Sequence, residues 1–258
     1  MSSPPKYVLD IATGTGIWAR EFAEQNPSSY VIGSDLSAIQ PETALPNLAF
    51  IKDDAEDTWL FPLPASPHGA GAAADPFSAA PMISFDYVHL RLVFSCFNDP
   101  RIVIQRAFDN LAPGGWLEFQ ELMPTFHQAN PAFKGDALKR WADGCGRGAL
   151  AAGRNLYVAD KYKGWIEEAG FIDVEEKRFV LPAHQWMQDP RMNKIGQFNQ
   201  RNMLEGVRGA GWMMLKAAGM TPEDIEDLIS QVHSELMMRD NHAYGHVYVV
   251  YGRKPFDE

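Results

Sequence analysis

An apolar strand that runs directly into a glycine-bearing turn and then a helix is the feature that most constrains this chain. Tyr7-Val8-Leu9-Asp10-Ile11-Ala12-Thr13-Gly14-Thr15-Gly16-Ile17-Trp18 has that form, and the helix is expected to reach about Gln25. Small residues after a strand let a ligand approach the backbone closely. The next apolar run, Tyr30-Val31-Ile32-Gly33-Ser34-Asp35, ends in an acid. In a βαβ unit an acid at that spacing is placed to accept both hydroxyls of a ribose. The two strands together predict a nucleoside-bearing cofactor at their carboxyl ends. A tight strand-to-helix turn with no ligand is the plain alternative for a lone glycine loop, and the rest of the chain has to decide.

The dinucleotide fingerprint requires a third glycine, so that a pyrophosphate can rest on the helix start. Here Gly14-Thr15-Gly16 is followed by Ile17-Trp18-Ala19, and a bulky Trp18 crowds that turn. The loop instead resembles the Asp-x-Gly-x-Gly-x-Gly signature of class I S-adenosylmethionine methyltransferases, with Asp10, Ala12, Gly14 and Gly16 in its places. Ala12 stands where that family has its first glycine. Further signals follow in the family's order. Leu48 to Lys52 reads as a third strand leading to Asp53, Asp54 and Ala55, and Phe85-Asp86-Tyr87-Val88-His89 as a fourth. Leu111-Ala112-Pro113-Gly114-Gly115-Trp116 reads as a helix end and a Pro-Gly-Gly turn into a fifth strand through Gln120.

The resemblance implies a Rossmann-like α/β fold, a seven-stranded mostly parallel sheet with an antiparallel last strand and helical insertions. It implies S-adenosyl-L-methionine as cofactor, held by Asp10, Ala12, Thr13, Gly14, Gly16, Asp35, Leu36, Asp54, Ala55, His89 and Arg91. In that family the acid after the third strand meets the adenine amino group, and the fourth strand lies beside the methionine arm.

Composition narrows the partners. A net charge of −10 and the lack of a basic run argue against direct nucleic-acid binding. Two cysteines, Cys96 and Cys145, make no disulfide framework and fit a reducing compartment. No apolar run reaches membrane-spanning length, and Met1 to Lys6 does not form a signal peptide. The expected location is cytoplasmic or nuclear. Only six residues precede the first strand. The resemblance implies helices before that strand that fold over the cofactor, so either the chain is shortened, or other segments or a partner (a second copy forming a homodimer, or another protein) close the site, or the pocket has changed its job.

The chain divides at about residue 122. Residues 1–122 read as the cofactor-binding half, with a mobile surface insertion at 62–81 whose Pro, Ala, Gly and Ser content buries little. Residues 123–258 complete the same domain, with substrate-side insertions at about 123–156 and 182–241. Asp99 and Pro100 mark a helix start running to Leu111, and Gly170 marks a helix stop. Phe171 to Leu181 alternates as a sixth strand. Thr221-Pro222-Glu223-Asp224 opens a helix inside a Met- and Trp-rich stretch that serves either as ordinary packing or as an adaptable pocket for a flat, oily substrate. His242 to Arg253 is the last strand.

Over nearly its whole length the chain is similar to the LaeA-like methyltransferases of fungal secondary metabolism. The residues that carry this are Leu9 to Ala19, Ile32 to Pro41, Asp53 to Trp59, Phe85 to Arg91, the Pro-Gly-Gly-Trp-Leu-Glu strand and Tyr251-Gly252-Arg253-Lys254-Pro255. Methyl transfer is an in-line displacement whose rate comes largely from positioning, with a base where the acceptor is an oxygen or nitrogen. The candidates for positioning or base work are His89 and His242, each of which also fits a hydrogen-bonded structural role. His242 and His246 do not form the helical two-histidine zinc face, no Walker loop or Gly-x-Ser-x-Gly elbow occurs, and no metal is implied. The expected function is methyl transfer to a small, secondary-metabolite-like molecule. The alternatives are a non-methylating cyclisation or isomerisation on the same fold, and a regulatory subunit of the LaeA-like kind.

Overall fold

The computed structural model describes residues 4–63 and 81–256. Strands β1 (Tyr7–Ile11), β2 (Tyr30–Asp35), β3 (Leu48–Lys52), β4 (Phe85–Arg91), β5 (Leu111–Gln128), β6 (Ile172–Pro182) and β7 (Ala243–Arg253) form one sheet, ordered β3-β2-β1-β4-β5-β7-β6. The ladders β1–β2, β2–β3, β1–β4 and β4–β5 are parallel, and β7 runs antiparallel between β5 and β6. The expected sheet and its single reversed strand are both present.

Alternation along the strands sends side chains to two layers. Val8, Val31 and Tyr87 pack with Ala19 and Ala23 of helix α1 (Ile17–Gln25). Leu9, Ile11, Ile32, Val88 and Leu90 face the opposite layer. There they meet Val103, Ile104 and Ala107 of α2 (Pro100–Asn110) and Tyr162 and Ile166 of α4 (Tyr162–Glu168). The adjacent buried pairs Val8-Leu9, Val31-Ile32 and Tyr87-Val88 are what burial on both faces demands.

A separate helical layer is built by α3 (Ala137–Ala151), α5 (Pro190–Ala217) and α6 (Pro222–Met237) around Leu138, Cys145, Leu215, Ile225 and Val232. The helix boundaries follow local chemistry. Asp99 accepts from the Arg101 N–H with Pro100 in the first turn, and Thr221 and Asp224 form a reciprocal capping box. Gly170 adopts a left-handed φ of 97° just beyond α4. Gly148 is required at the α3–α5 crossing, since a Cβ there would lie 1.6 Å from the Met214 carbonyl oxygen.

The fifth strand is longer than the sequence suggested. It already pairs at Leu111 with Phe85 and continues past Gln120 to Gln128, because β7 extends alongside it as far as Ala243. A register shift between Met123 and His127 interrupts that ladder. The surface insertion expected at 62–81 falls largely on residues outside the described ones. Its base is closed by an antiparallel bridge between Pro62 and Met82.

Candidate functional site

The carboxyl ends of β1, β2 and β4 meet at the glycine turn, where an open backbone and several acids converge. Ala12 and Gly14 both adopt left-handed conformations, with φ of 53° and 59°. For Ala12 this is strained by ~1–2 kcal/mol, which gives a physical reason for glycine in the related signature. A Cβ at Gly14 would find nothing within 4 Å, so the backbone there is open to a ligand. Gly16 is closed instead: a Cβ would fall 2.4 Å from the Phe50 ring.

Asp35 organises one side of the turn. Its Oδ2 accepts from the Gly14 N–H and its Oδ1 from the Ser37 N–H, each at 2.9 Å. Each oxygen takes a single donor in these bonds, leaving acceptor capacity toward the opening. Asp54 Oδ1 accepts from the Glu56 N–H at 2.9 Å. Asp35, Leu36, Asp53, Asp54, Ala55 and Glu56 line one wall of a cavity of about 210 Å³, faced by Cys96, Phe97, Asn98 and Arg154. Ala12 belongs both to this cavity and to a second opening lined by Asp10, Thr13, Gly14, Trp18, His89 and Arg91. The structure thus brings the expected cofactor-side residues around one divided cleft, except Gly16, which is buried behind it.

Asp10 and His89 are register partners on β1 and β4 and point to the α1 side. Asp10 Oδ1 lies 2.7 Å from His89 Nδ1, and Asp10 Oδ2 accepts from the Thr13 hydroxyl at 2.5 Å. Trp18 covers the imidazole, with centroids 3.7 Å apart. His89 is fully buried and its Nε2 has no hydrogen-bond partner among the described residues. Arg91, at the end of β4, is exposed.

A third cavity, about 290 Å³, lies where β5 and β7 extend beyond the parallel strands. Phe94, Met123, Phe126, Trp141, Leu181, Met203 and Val207 make it apolar, and Thr125, Asn199, Asn202 and His246 supply its polar groups. No acid, lysine or arginine lines it. Burial lowers the His246 pKa from its ordinary value, with His127 and Arg178 adding to the effect. The imidazole is therefore neutral at neutral pH.

His89 and His242 are both absent from this lining. The His242 ring stacks on Trp186 at 4.8 Å, and the His242 backbone N–H donates to Gln128 Oε1. Sequence reasoning weighed His246 only as a metal ligand and singled out neither Arg154 nor Glu121. For His246 the deciding fact is the strand register. For Glu121 a signal existed: Leu117, Phe119 and Glu121 alternate onto one buried face.

The residues fit S-adenosylmethionine. Asp35 offers oxygens to ribose hydroxyls, Asp54 an acceptor for an amine, Arg91 a cation for a carboxylate, and Gly14 an approach free of side chains. Comparison with known proteins agrees. Residues 2–176 match the family described as a methyltransferase domain. The chain is 31% identical over 254 residues to Methyltransferase pytC of Aspergillus terreus, spanning 97% of this chain and 72% of that protein. It is 27% identical over 251 residues to Protein-methionine methyltransferase laeA of Emericella nidulans, spanning 96% of this chain and 62% of that one. Among solved structures, Haemonchus contortus phosphoethanolamine N-methyltransferase 2 in complex with S-adenosyl-L-methionine shares the fold. The TM-score is 0.54 at 18% identity, over 97% of this chain and 49% of that chain.

Proposed function

The chain belongs to the methyltransferase-domain family, whose methyl donor is S-adenosylmethionine, and on that premise we propose that it methylates a small, neutral, largely apolar acceptor of the fungal secondary-metabolite kind. One observation carries this reading. The segment after β4 lines the acid-walled cleft with Cys96, Phe97 and Asn98, and the apolar cavity with Phe94. Donor and acceptor sites are thereby separated by a few residues of backbone.

Bound S-adenosylmethionine supplies a methyl carbon on a positively charged sulfur. The protein's share of the work is orientation and exclusion of water. Asp35 and Asp54 hold the nucleoside, and Arg91 holds the carboxylate end. Asp10, with the His89 ring fixed beneath Trp18, keeps the turn rigid through Thr13. The apolar walls favour an uncharged acceptor, because a charged one would be desolvated there without a partner. Asn199 and Asn202 orient its polar edge, and neutral His246 accepts the proton that a hydroxyl or amine acceptor gives up.

The test is turnover. The purified chain is incubated with S-adenosylmethionine and a panel of neutral phenolic and polyketide-type compounds, with S-adenosylhomocysteine and methylated product measured by mass spectrometry. Matched formation of both with at least one neutral acceptor supports the reading. S-adenosylmethionine binding without S-adenosylhomocysteine above the acceptor-free level, across the whole panel, contradicts it.

A further inference from the structure

The segment between the two cavities is fastened from outside itself. Leu92 turns out of β4 in a left-handed conformation, φ 57°, which a leucine adopts only under constraint. Its N–H donates to the Gln120 carbonyl at 3.0 Å. The next residue, Val93, donates its N–H to Glu121 Oε1 at 2.8 Å. At the far end, Glu56 accepts from the N–H groups of Asn98 and Asp99 and from the Asn98 side chain.

Glu56 is a partly exposed acid making ordinary loop contacts, but Glu121 is not ordinary. It is fully buried, and its Oε2 has no partner among the described residues. On its face of β5 it stands between Phe119, in the core, and Met123, which lines the apolar cavity. A carboxyl group in such a place costs stability wherever its hydrogen bonds do not offset the lost hydration. The residues around it are Tyr162 from α4, Cys96 from the post-β4 segment, and Tyr248 opposite it on β7. None of these is a cation.

We propose that Glu121 is a positioning residue: by gripping the Val93 amide it sets the post-β4 segment, and with it the wall shared by the donor cleft and the acceptor cavity. The grip needs a hydrogen-bond acceptor at this position rather than a negative charge. Burial pushes the Glu121 pKa up to about 8, so the group is a neutral acid at neutral pH. Its carbonyl oxygen accepts the Val93 N–H in that form. The identification of the two cavities as donor and acceptor sites rests on the function proposed above, whereas the grip on Val93 does not.

The experiment compares the parent chain with Glu121→Gln and Glu121→Leu. It measures amide hydrogen exchange across residues 92–98 and S-adenosylmethionine affinity by calorimetry at pH 7. The glutamine variant keeps an acceptor of the same shape, so both readouts at pH 7 should match the parent. The leucine variant should exchange faster in 92–98 while β2 stays protected, and should bind the cofactor about tenfold more weakly, as loss of a buried hydrogen bond implies. Unchanged exchange in the leucine variant overturns the proposal, as does a glutamine variant that behaves like leucine. A parent that binds no cofactor, with 92–98 still loosened by leucine, would instead refute the proposed function and leave the grip standing.

Discussion

The indole of Trp18 lies on the imidazole of His89, centroids 3.7 Å apart and planes 10° from parallel, so a histidine at the end of a central strand is sealed within the cofactor turn. The geometry follows from parity and register. Asp10 and His89 are neighbours on adjacent strands and face α1, the helix that carries Trp18. With Asp10 ionised, Nδ1 donates to it across 2.7 Å, and the stack excludes water from the pair.

Replacing His89 by Leu therefore leaves the Asp10 carboxylate buried with the Thr13 hydroxyl alone. Loss of one member of a buried, charge-assisted pair costs about 3 kcal/mol. Urea unfolding at pH 7 should show a stability lower by about that amount, as a lowered midpoint with an unchanged slope. A change within about 0.5 kcal/mol, the range of an ordinary surface substitution, would contradict the structural role.

Ala12 makes the opposite prediction. Its left-handed conformation, φ 53°, costs ~1–2 kcal/mol, while glycine gives back ~0.5–1 kcal/mol through unfolded-chain entropy. Ala12→Gly should thus stabilise the chain by up to about 1 kcal/mol in the same unfolding measurement, where most substitutions destabilise. A clear loss of stability would mean that the Ala12 methyl makes packing contacts that outweigh its strain.

The helical layer can be disturbed without touching the cofactor cleft. Gly148→Ala places a methyl 1.6 Å from the Met214 carbonyl oxygen, which forces α3 and α5 apart. A forced fit of this kind costs about 2 kcal/mol or more. The melting temperature should fall while S-adenosylmethionine affinity stays within about twofold, since the cleft is lined from other elements. Equal loss of both would show that the two layers act as one.

As the proposed base, His246 carries a pH signature. Its pKa is lowered, so the neutral form dominates at neutral pH and is lost as pH falls below the ordinary histidine value. Methyl transfer to a hydroxyl acceptor should decline toward acid in the parent. His246→Gln should turn over about a hundredfold more slowly and lack that limb. An unchanged acid limb in the variant would assign the base to another group.

How far the sequence carried depended on the range of the interactions involved. The turn from Asp10 to Gly16, the acids at Asp35 and Asp54, and the caps at Asp99 and Thr221 are local patterns, and the structure places them as local chemistry demands. The choice between His242 and His246 is different. It depends on the antiparallel register of β7 on β5, including a shift between Met123 and His127. That register sets Met123 opposite His246 and stacks His242 on Trp186. Glu121 is an intermediate case: alternation places it on the buried face, but only the path of the post-β4 segment shows what it grips.

The central claim is that this turn is a working S-adenosylmethionine site, and calorimetric titration of the purified chain and of Asp35→Ala tests it most directly. Saturable binding by the parent is expected, with at least a tenfold loss in the variant, whose alanine offers no acceptor to a ribose and releases the Gly14 amide. A folded parent that gives no binding heat with S-adenosylmethionine at any accessible concentration, or an Asp35→Ala chain that binds as tightly as the parent, would contradict it.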